Sequence, residues 1–247
     1  MYTQHTHSLN AMSDAAQETP SPSPEYNVAD ACAAGMTLSC GPHRLTLLRA
    51  LGKGKSALSW LVEEGGARFV LKVMHDEPCP YYTFHEAKTI AEQRDYATLL
   101  RIGVPLPRLL HVDHERGTLL KEWVDGIDGL RLVADGLPER DIILQLLSLS
   151  RRCREAGYNL DWFPANMVVH NGALTYVDYE VNGYDPRWSL EQWGFYYWAN
   201  VEGVRQLLRN GDITRLNDAD GLPRRDGLEA IVRSWIDVMA NSDAVAT

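Results

Sequence analysis

Asp161-Trp162-Phe163-Pro164-Ala165-Asn166-Met167-Val168-Val169-His170-Asn171-Gly172-Ala173-Leu174-Thr175-Tyr176-Val177-Asp178 is the most informative stretch of the chain. Its two apolar runs, Met167 to His170 and Ala173 to Val177, flank Asn171-Gly172, the dipeptide that most readily makes a two-residue hairpin turn. Closing that hairpin brings Asn166 and Asp178, 12 residues apart in sequence, to one edge. With Asp161 just upstream, two carboxylates and an amide converge. The D-x-x-x-x-N spacing alone arises often by chance, so its meaning depends on what surrounds it.

Such a set matches what phosphoryl transfer from a nucleotide requires. One carboxylate positions an attacking hydroxyl and accepts its proton, while a second carboxylate and an amide oxygen hold Mg²⁺ against the phosphates. Upstream, Leu51-Gly52-Lys53-Gly54-Lys55-Ser56-Ala57 lies between two predicted strands, where small residues let backbone amides approach a polyphosphate. A plain hairpin turn would look the same. It is not a Walker P-loop, because the spacing differs and a strand follows it. Lys72 sits inside the apolar run Phe69-Val70-Leu71-Lys72-Val73, and a charge in a buried strand needs a partner. The next predicted helix offers Glu86 and Glu92.

Further outward the pattern is mixed. Leu45 to Ala50, Ala57 to Val62 and Arg68 to Met74 read as an antiparallel meander with a turn at Glu64-Gly65-Gly66. Apolar residues at helical spacing predict a helix over 82–102 that stops at Gly103 and Pro105. Leu109 to Val112 and Thr118 to Val124 read as two more strands around His114 to Gly117. Beyond Gly126 the chain turns mainly helical, with one helix from about Pro138 to Gly157, others from about Ser189, and a last one near Leu228 to Met239.

This order of parts resembles the protein-kinase-like superfamily over residues 48–198, about 60% of the chain. The resemblance implies an α+β, two-lobed fold. Its N-lobe, 39–122, would hold a five-stranded antiparallel sheet and one helix, and its C-lobe, 123–247, would be small and mainly helical. It implies ATP and Mg²⁺ as cofactors. Gly52 and Gly54 would cover the phosphates, Lys72 would bind them, and Glu92 would be the lysine's partner, preferred to Glu86 because Glu92 to Pro105 is similar to the helix end of small RIO-type microbial kinases. Glu122-Trp123-Val124-Asp125-Gly126 resembles the hinge whose backbone meets adenine, with Leu51, Val70 and Val168 sandwiching the base. Asp161 resembles the catalytic base, and Asn166 and Asp178 the metal ligands.

Departures limit what is inherited. Ala57 stands for the third loop glycine and Asn159-Leu160-Asp161 for H-R-D, which removes the arginine that would bind a phosphorylated activation loop. Phe163 replaces the lysine of protein Ser/Thr kinases, and Asp178-Tyr179-Glu180, replacing D-F-G, is similar to choline and aminoglycoside kinases. No A-P-E follows. Only 39 residues separate Glu122 from Asp161, too few for the helical insert in which aminoglycoside kinases build a small-molecule pocket. A protein Ser/Thr acceptor is therefore expected. A small-molecule kinase and a nucleotide-binding pseudokinase scaffold remain the alternatives. Small effector kinases that plant-associated bacteria inject into hosts, to phosphorylate a host protein such as a chaperone, are also similar.

Composition narrows the rest. The 247 residues are 45% apolar and 23% charged, as in a soluble globular protein, and no apolar run nears the roughly 20 residues of a membrane span. A net charge of −9 disfavours nucleic acid as a partner, and a monomer in the cytoplasm is expected. Cys32, Cys40, Cys79 and Cys153 are scattered, which fits unpaired thiols and argues against structural zinc. Residues 1–38 hold no Lys or Arg and include Thr19-Pro20-Ser21-Pro22-Ser23-Pro24, reading as a disordered leader without the basic start and apolar segment of a signal peptide. Such a leader suits a specialised secretion system, as it would suit an ordinary tail. The aromatic cluster Trp193 to Trp198 reads as core, and His111, Asp113 and His114 as solvated loop residues. The arginines at 151, 152, 154, 224 and 225 read as exposed faces.

Overall fold

A computed structural model describes residues 32–77 and 86–245, with side chains through Val238. The Ser/Pro-rich run, Cys79 and the first residues of the helix expected over 82–102 lie outside the described residues. The chain folds as α+β, with a curled antiparallel sheet followed by a mainly helical remainder.

The sheet contains β1 (Thr37–Cys40), β2 (His43–Lys53), β3 (Ala57–Glu64), β4 (Ala67–Met74), β5 (Leu109–Asp113) and β6 (Thr118–Glu122), in the order β1-β2-β3-β4-β6-β5. It has six strands where five were expected. The extra one, β1, begins at Thr37, inside the span read as leader, and pairs with β2 through Cys40 opposite His43. Polar composition hid it: Thr37-Leu38-Ser39-Cys40 buries only Cys40 completely. The β3–β4 turn is Gly65-Gly66, both at positive φ (58° and 81°), as the twist of a two-residue hairpin demands. Cys40, Leu45, Leu47, Trp60, Val62, Leu71, Val73 and Leu120 form the sheet's core.

One helix, α1 (Lys88–Ile102), crosses from β4 to β5 and ends at Gly103, whose φ of 80° makes a left-handed cap. Its last turn already belongs elsewhere. Leu99 and Val104 pack into the larger core, made chiefly by α3 (Arg140–Glu155) and the residues after Asp161. Before α3 come β7 (Ile127–Asp128) and α2 (Gly129–Asp135); after it come β8 (Tyr158–Leu160), the hairpin β9 (Met167–His170) and β10 (Ala173–Tyr176), and β11 (Val181–Gly183). β7 adds to β9, and β11 pairs antiparallel with β8. A π-helical turn, Leu190–Gly194, leads into α4 (Phe195–Ala199), and α5 (Val201–Asn210) and α6 (Glu229–Val245) complete the fold.

The aromatic cluster is core: Phe195 and Trp198 are fully buried and Tyr197 nearly so. His111 packs on Gly41, His114 bonds to Thr89 at 2.9 Å, and Asp113 holds Arg116, so these three face separate partners. Arg152 donates to the Gly103 carbonyl, and Arg225 lies over Tyr196. Cys40 and Cys153 are buried free thiols. Among the described residues no helix is long and apolar enough to cross a membrane.

Candidate active site

The hairpin β9–β10 places the first pair of site residues. Asn171 (φ 49°) and Gly172 (φ 77°) make its turn, and Tyr176 faces Met167 at its open end. There the Val177 N–H donates to the Asn166 carbonyl at 2.8 Å, so Asn166 and Asp178 leave the hairpin side by side. Asp161 arrives from another strand pair. Leu160 on β8 faces Val181 on β11, which sets Asp161 beside Glu180. Its carboxylate accepts from the Phe163 N–H at 3.0 Å, and Asn166 donates back to the Asp161 carbonyl at 3.4 Å. The intervening Trp162 is fixed by the Trp198 indole, which donates to the Trp162 carbonyl at 2.9 Å.

Opposite this edge stands the sheet. Lys72 on β4 lies 2.5 Å from Glu92 on α1 and 3.1 Å from Asp178. Glu86 pairs instead with Arg94. A second buried lysine, Lys121 on β6, donates to the Val177 carbonyl and sits 4.7 Å from the centre of the Tyr179 ring. Burial would raise the Asp178 carboxyl, but the two ammoniums beside it, Lys72 first, hold it well below the usual carboxylate range. Glu92 goes the other way: burial pushes it up, Lys72 offsets only part of that, and its Oε2 has no hydrogen-bond partner. Two acids thus compete for Lys72, and Asp178 keeps its charge. Burial and then the neighbouring Lys72 ammonium lower Lys121 to about 8.

Burial and the adjacent Glu180 carboxylate push Asp161 up to about 6. A group of that strength is ionised at neutral pH yet basic enough to accept a proton.

Between the sheet and the hairpin lies a cleft of about 540 Å³. Leu51, Gly52, Gly54, Val70, Lys72, Glu92, Glu122, Val124, Asn166, Val168 and Asp178 all line it. Asp161 does not contribute to its wall but adjoins it through Phe163 and Glu180, which do. Gly52 has nothing within 4 Å of where a Cβ would stand, so the loop backbone is open to a ligand. The cleft also takes in Lys55, Lys121 and Glu180, which the sequence reading did not assign to the site. Lys121 carried a weaker form of the Lys72 signal, a lysine directly after the apolar Leu119-Leu120 and before Glu122. Lys55 and Glu180 stood inside the Gly-rich loop and the Asp178-Tyr179-Glu180 stretch, but nothing local marked either as a site residue, since only the fold brings them together across the cleft.

Among the described residues no group of three or more His, Cys, Asp or Glu side chains is placed to hold a metal ion. Asp178 and Asn166 supply one ionised carboxylate and one amide oxygen, hard donors that suit Mg²⁺, an ion that takes most of its ligands from phosphates and water. No protein-family model matches the sequence, and no curated protein matches it either.

Proposed function

We propose that the chain is an ATP- and Mg²⁺-dependent phosphotransferase built on a two-lobed, protein-kinase-like fold, with Ser or Thr hydroxyls of a protein as acceptors. The observation that carries this reading is the buried ion pair of Lys72 with Glu92, joined by Asp178 at 3.1 Å, on the wall of a cleft that Asn166 also lines. Three elements far apart in sequence converge to hold one ammonium where it can meet phosphate oxygens.

Leu51, Val70 and Val168 offer apolar surfaces above and below a planar base, and the backbone of Glu122 to Val124 offers its edge hydrogen bonds. Bound Mg²⁺ would neutralise phosphate charge, held by Asp178 and Asn166. Asp161 accepts the proton of the acceptor hydroxyl, a contribution of about 10² to 10⁴ in rate for a well-placed base. The span from Glu122 to Asp161 favours a protein acceptor, because its two helices, α2 and α3, turn buried faces to the core rather than walling off a separate pocket.

The test is incubation with γ-labelled ATP, Mg²⁺ and either cell lysate or a panel of alcohols, amino alcohols and aminoglycosides, with Asp161→Ala as control. Label entering Ser or Thr residues only with the wild type is the expected result. Label confined to small molecules would move the acceptor to that class, and no difference from Asp161→Ala would end the enzymatic reading.

A further inference from the structure

The cleft contains five lysines, Lys53, Lys55, Lys72, Lys88 and Lys121. Lys53 pairs with Glu77, Lys72 with Glu92 and Asp178, Lys88 with the His75 carbonyl, and Lys121 with the Val177 carbonyl. Lys55, from the loop between β2 and β3, reaches the Asp161 side of the cleft instead. Its Nζ lies 2.8 Å from Glu180 Oε1, next to the base Asp161. Glu180, Asp161 and Asp178 together keep that ammonium charged against the cost of its burial.

The loop that carries Lys55 is pinned rather than loose. The Gly54 N–H donates to the Ala57 carbonyl at 2.9 Å, the His75 N–H to the Ser56 carbonyl at 3.1 Å, and His75 Nε2 to the Gly54 carbonyl at 3.0 Å. One buried histidine therefore grips the residues on both sides of Lys55. The segment that follows the base, Trp162-Phe163-Pro164, brings no cation, and the Phe163 ring is packed edge-on against Tyr197.

In the transfer, the acceptor oxygen bonds to the γ-phosphorus as the bond from that phosphorus to the β,γ-bridging oxygen breaks. The hydroxyl proton goes to Asp161, and ADP leaves with the electron pair. Negative charge spreads over the three peripheral oxygens of the moving group and needs a cation near the acceptor side. We propose that Lys55 is a catalytic residue that leaves Glu180 and binds the peripheral oxygens of the transferred phosphoryl group. A partly exposed pair such as Lys55–Glu180 is weak and exchanges readily.

This inference rests on the phosphotransferase reading, so both are tested together on the full chain. Release of ADP from Mg·ATP, with water as acceptor, is measured for the wild type, Asp161→Asn, Lys55→Met and Lys55→Arg. Binding of Mg·ADP, which lacks the γ-phosphate, is measured by calorimetry. Lys55→Met should lower kcat about 100-fold or more, in the range found for loss of one oxyanion donor, with Mg·ADP affinity within about threefold. Lys55→Arg should recover most of that loss. Should Lys55→Met fail to fold, Lys55→Gln replaces it. An active wild type with a Lys55→Met kcat within about threefold, or with parallel losses in kcat and Mg·ADP affinity, overturns the role of Lys55. A wild type no faster than Asp161→Asn overturns the phosphotransferase reading, and the role of Lys55 with it.

Discussion

Asp161 holds its proton more tightly in the fold than in the unfolded chain, about 6 against an ordinary 3.8, because burial and Glu180 disfavour its charge. Between those two values the native state binds more protons than the unfolded one, so this group's contribution to stability falls as pH rises from about 4 to 6 and stays reduced above. Asp161→Asn, neutral at every pH, should therefore melt higher than the wild type at pH 7 and equal it near pH 3.5. Thermal melts across that range check the sign, and a variant that melts lower at pH 7 would refute it. The same site residue should make kcat fall about tenfold per pH unit below 6. At this scale the sequence was readable where a charge interrupts an apolar strand, as at Lys72. Apolar spacing alone left Glu86 and Glu92 both open to answer it; the resemblance preferred Glu92, and the path of α1 turns Glu92 to Lys72 and leaves Glu86 to Arg94.

Two glycines clamp the segment from Asp161 to Asn166 between elements. A Cβ on Gly129, at the start of α2, would collide with the Pro164 carbonyl, and one on Gly194, in the π-helical turn, would stand 2.5 Å from the Trp162 Cβ. Backbone and core atoms of this kind cannot swing away, so each Gly→Ala change must shift the segment that holds Asp161 and Asn166. Gly129→Ala and Gly194→Ala should each cost about 1–3 kcal/mol, the usual range for overpacking. Turnover should drop further than that instability accounts for, measured at a temperature where both variants remain folded. Gly136→Ala, with nothing within 4 Å of its Cβ, is the control and should keep full activity. Hairpins with Gly-Gly and Asn-Gly turns were legible because the turn chemistry is local. β8 and β11 were not: three residues each, paired across 20 positions, they are too short for any periodicity. α2, with seven residues, escaped for the same reason.

Among the described residues there are two apolar cores, one on the sheet and one around α3, and the cleft lies between the sheet and the β9–β10 hairpin. Tyr179, directly after Asp178, lies with its ring tilted 4.8 Å from that of Tyr96 on α1 and donates to the Pro107 carbonyl at 2.6 Å. On the proposed function, a nucleotide in the cleft would touch both sides and so would stabilise the folded chain as a unit. At 100 times its Kd a ligand adds about 2.7 kcal/mol, and for a chain of this size each kcal/mol raises Tm by about 2–4 °C. Mg·ADP should therefore raise the wild-type Tm by roughly 5–10 °C at that excess. Asp161→Ala should show the same shift, because Asp161 does not line the cleft in which the proposed nucleotide would sit. Asp178→Ala should show almost none, since it removes the carboxylate that would hold Mg²⁺ and unbalances Lys72 and Lys121. The comparison separates binding from chemistry: equal shifts in Asp178→Ala and wild type would mean that this cleft does not hold its nucleotide through Asp178, whatever the turnover.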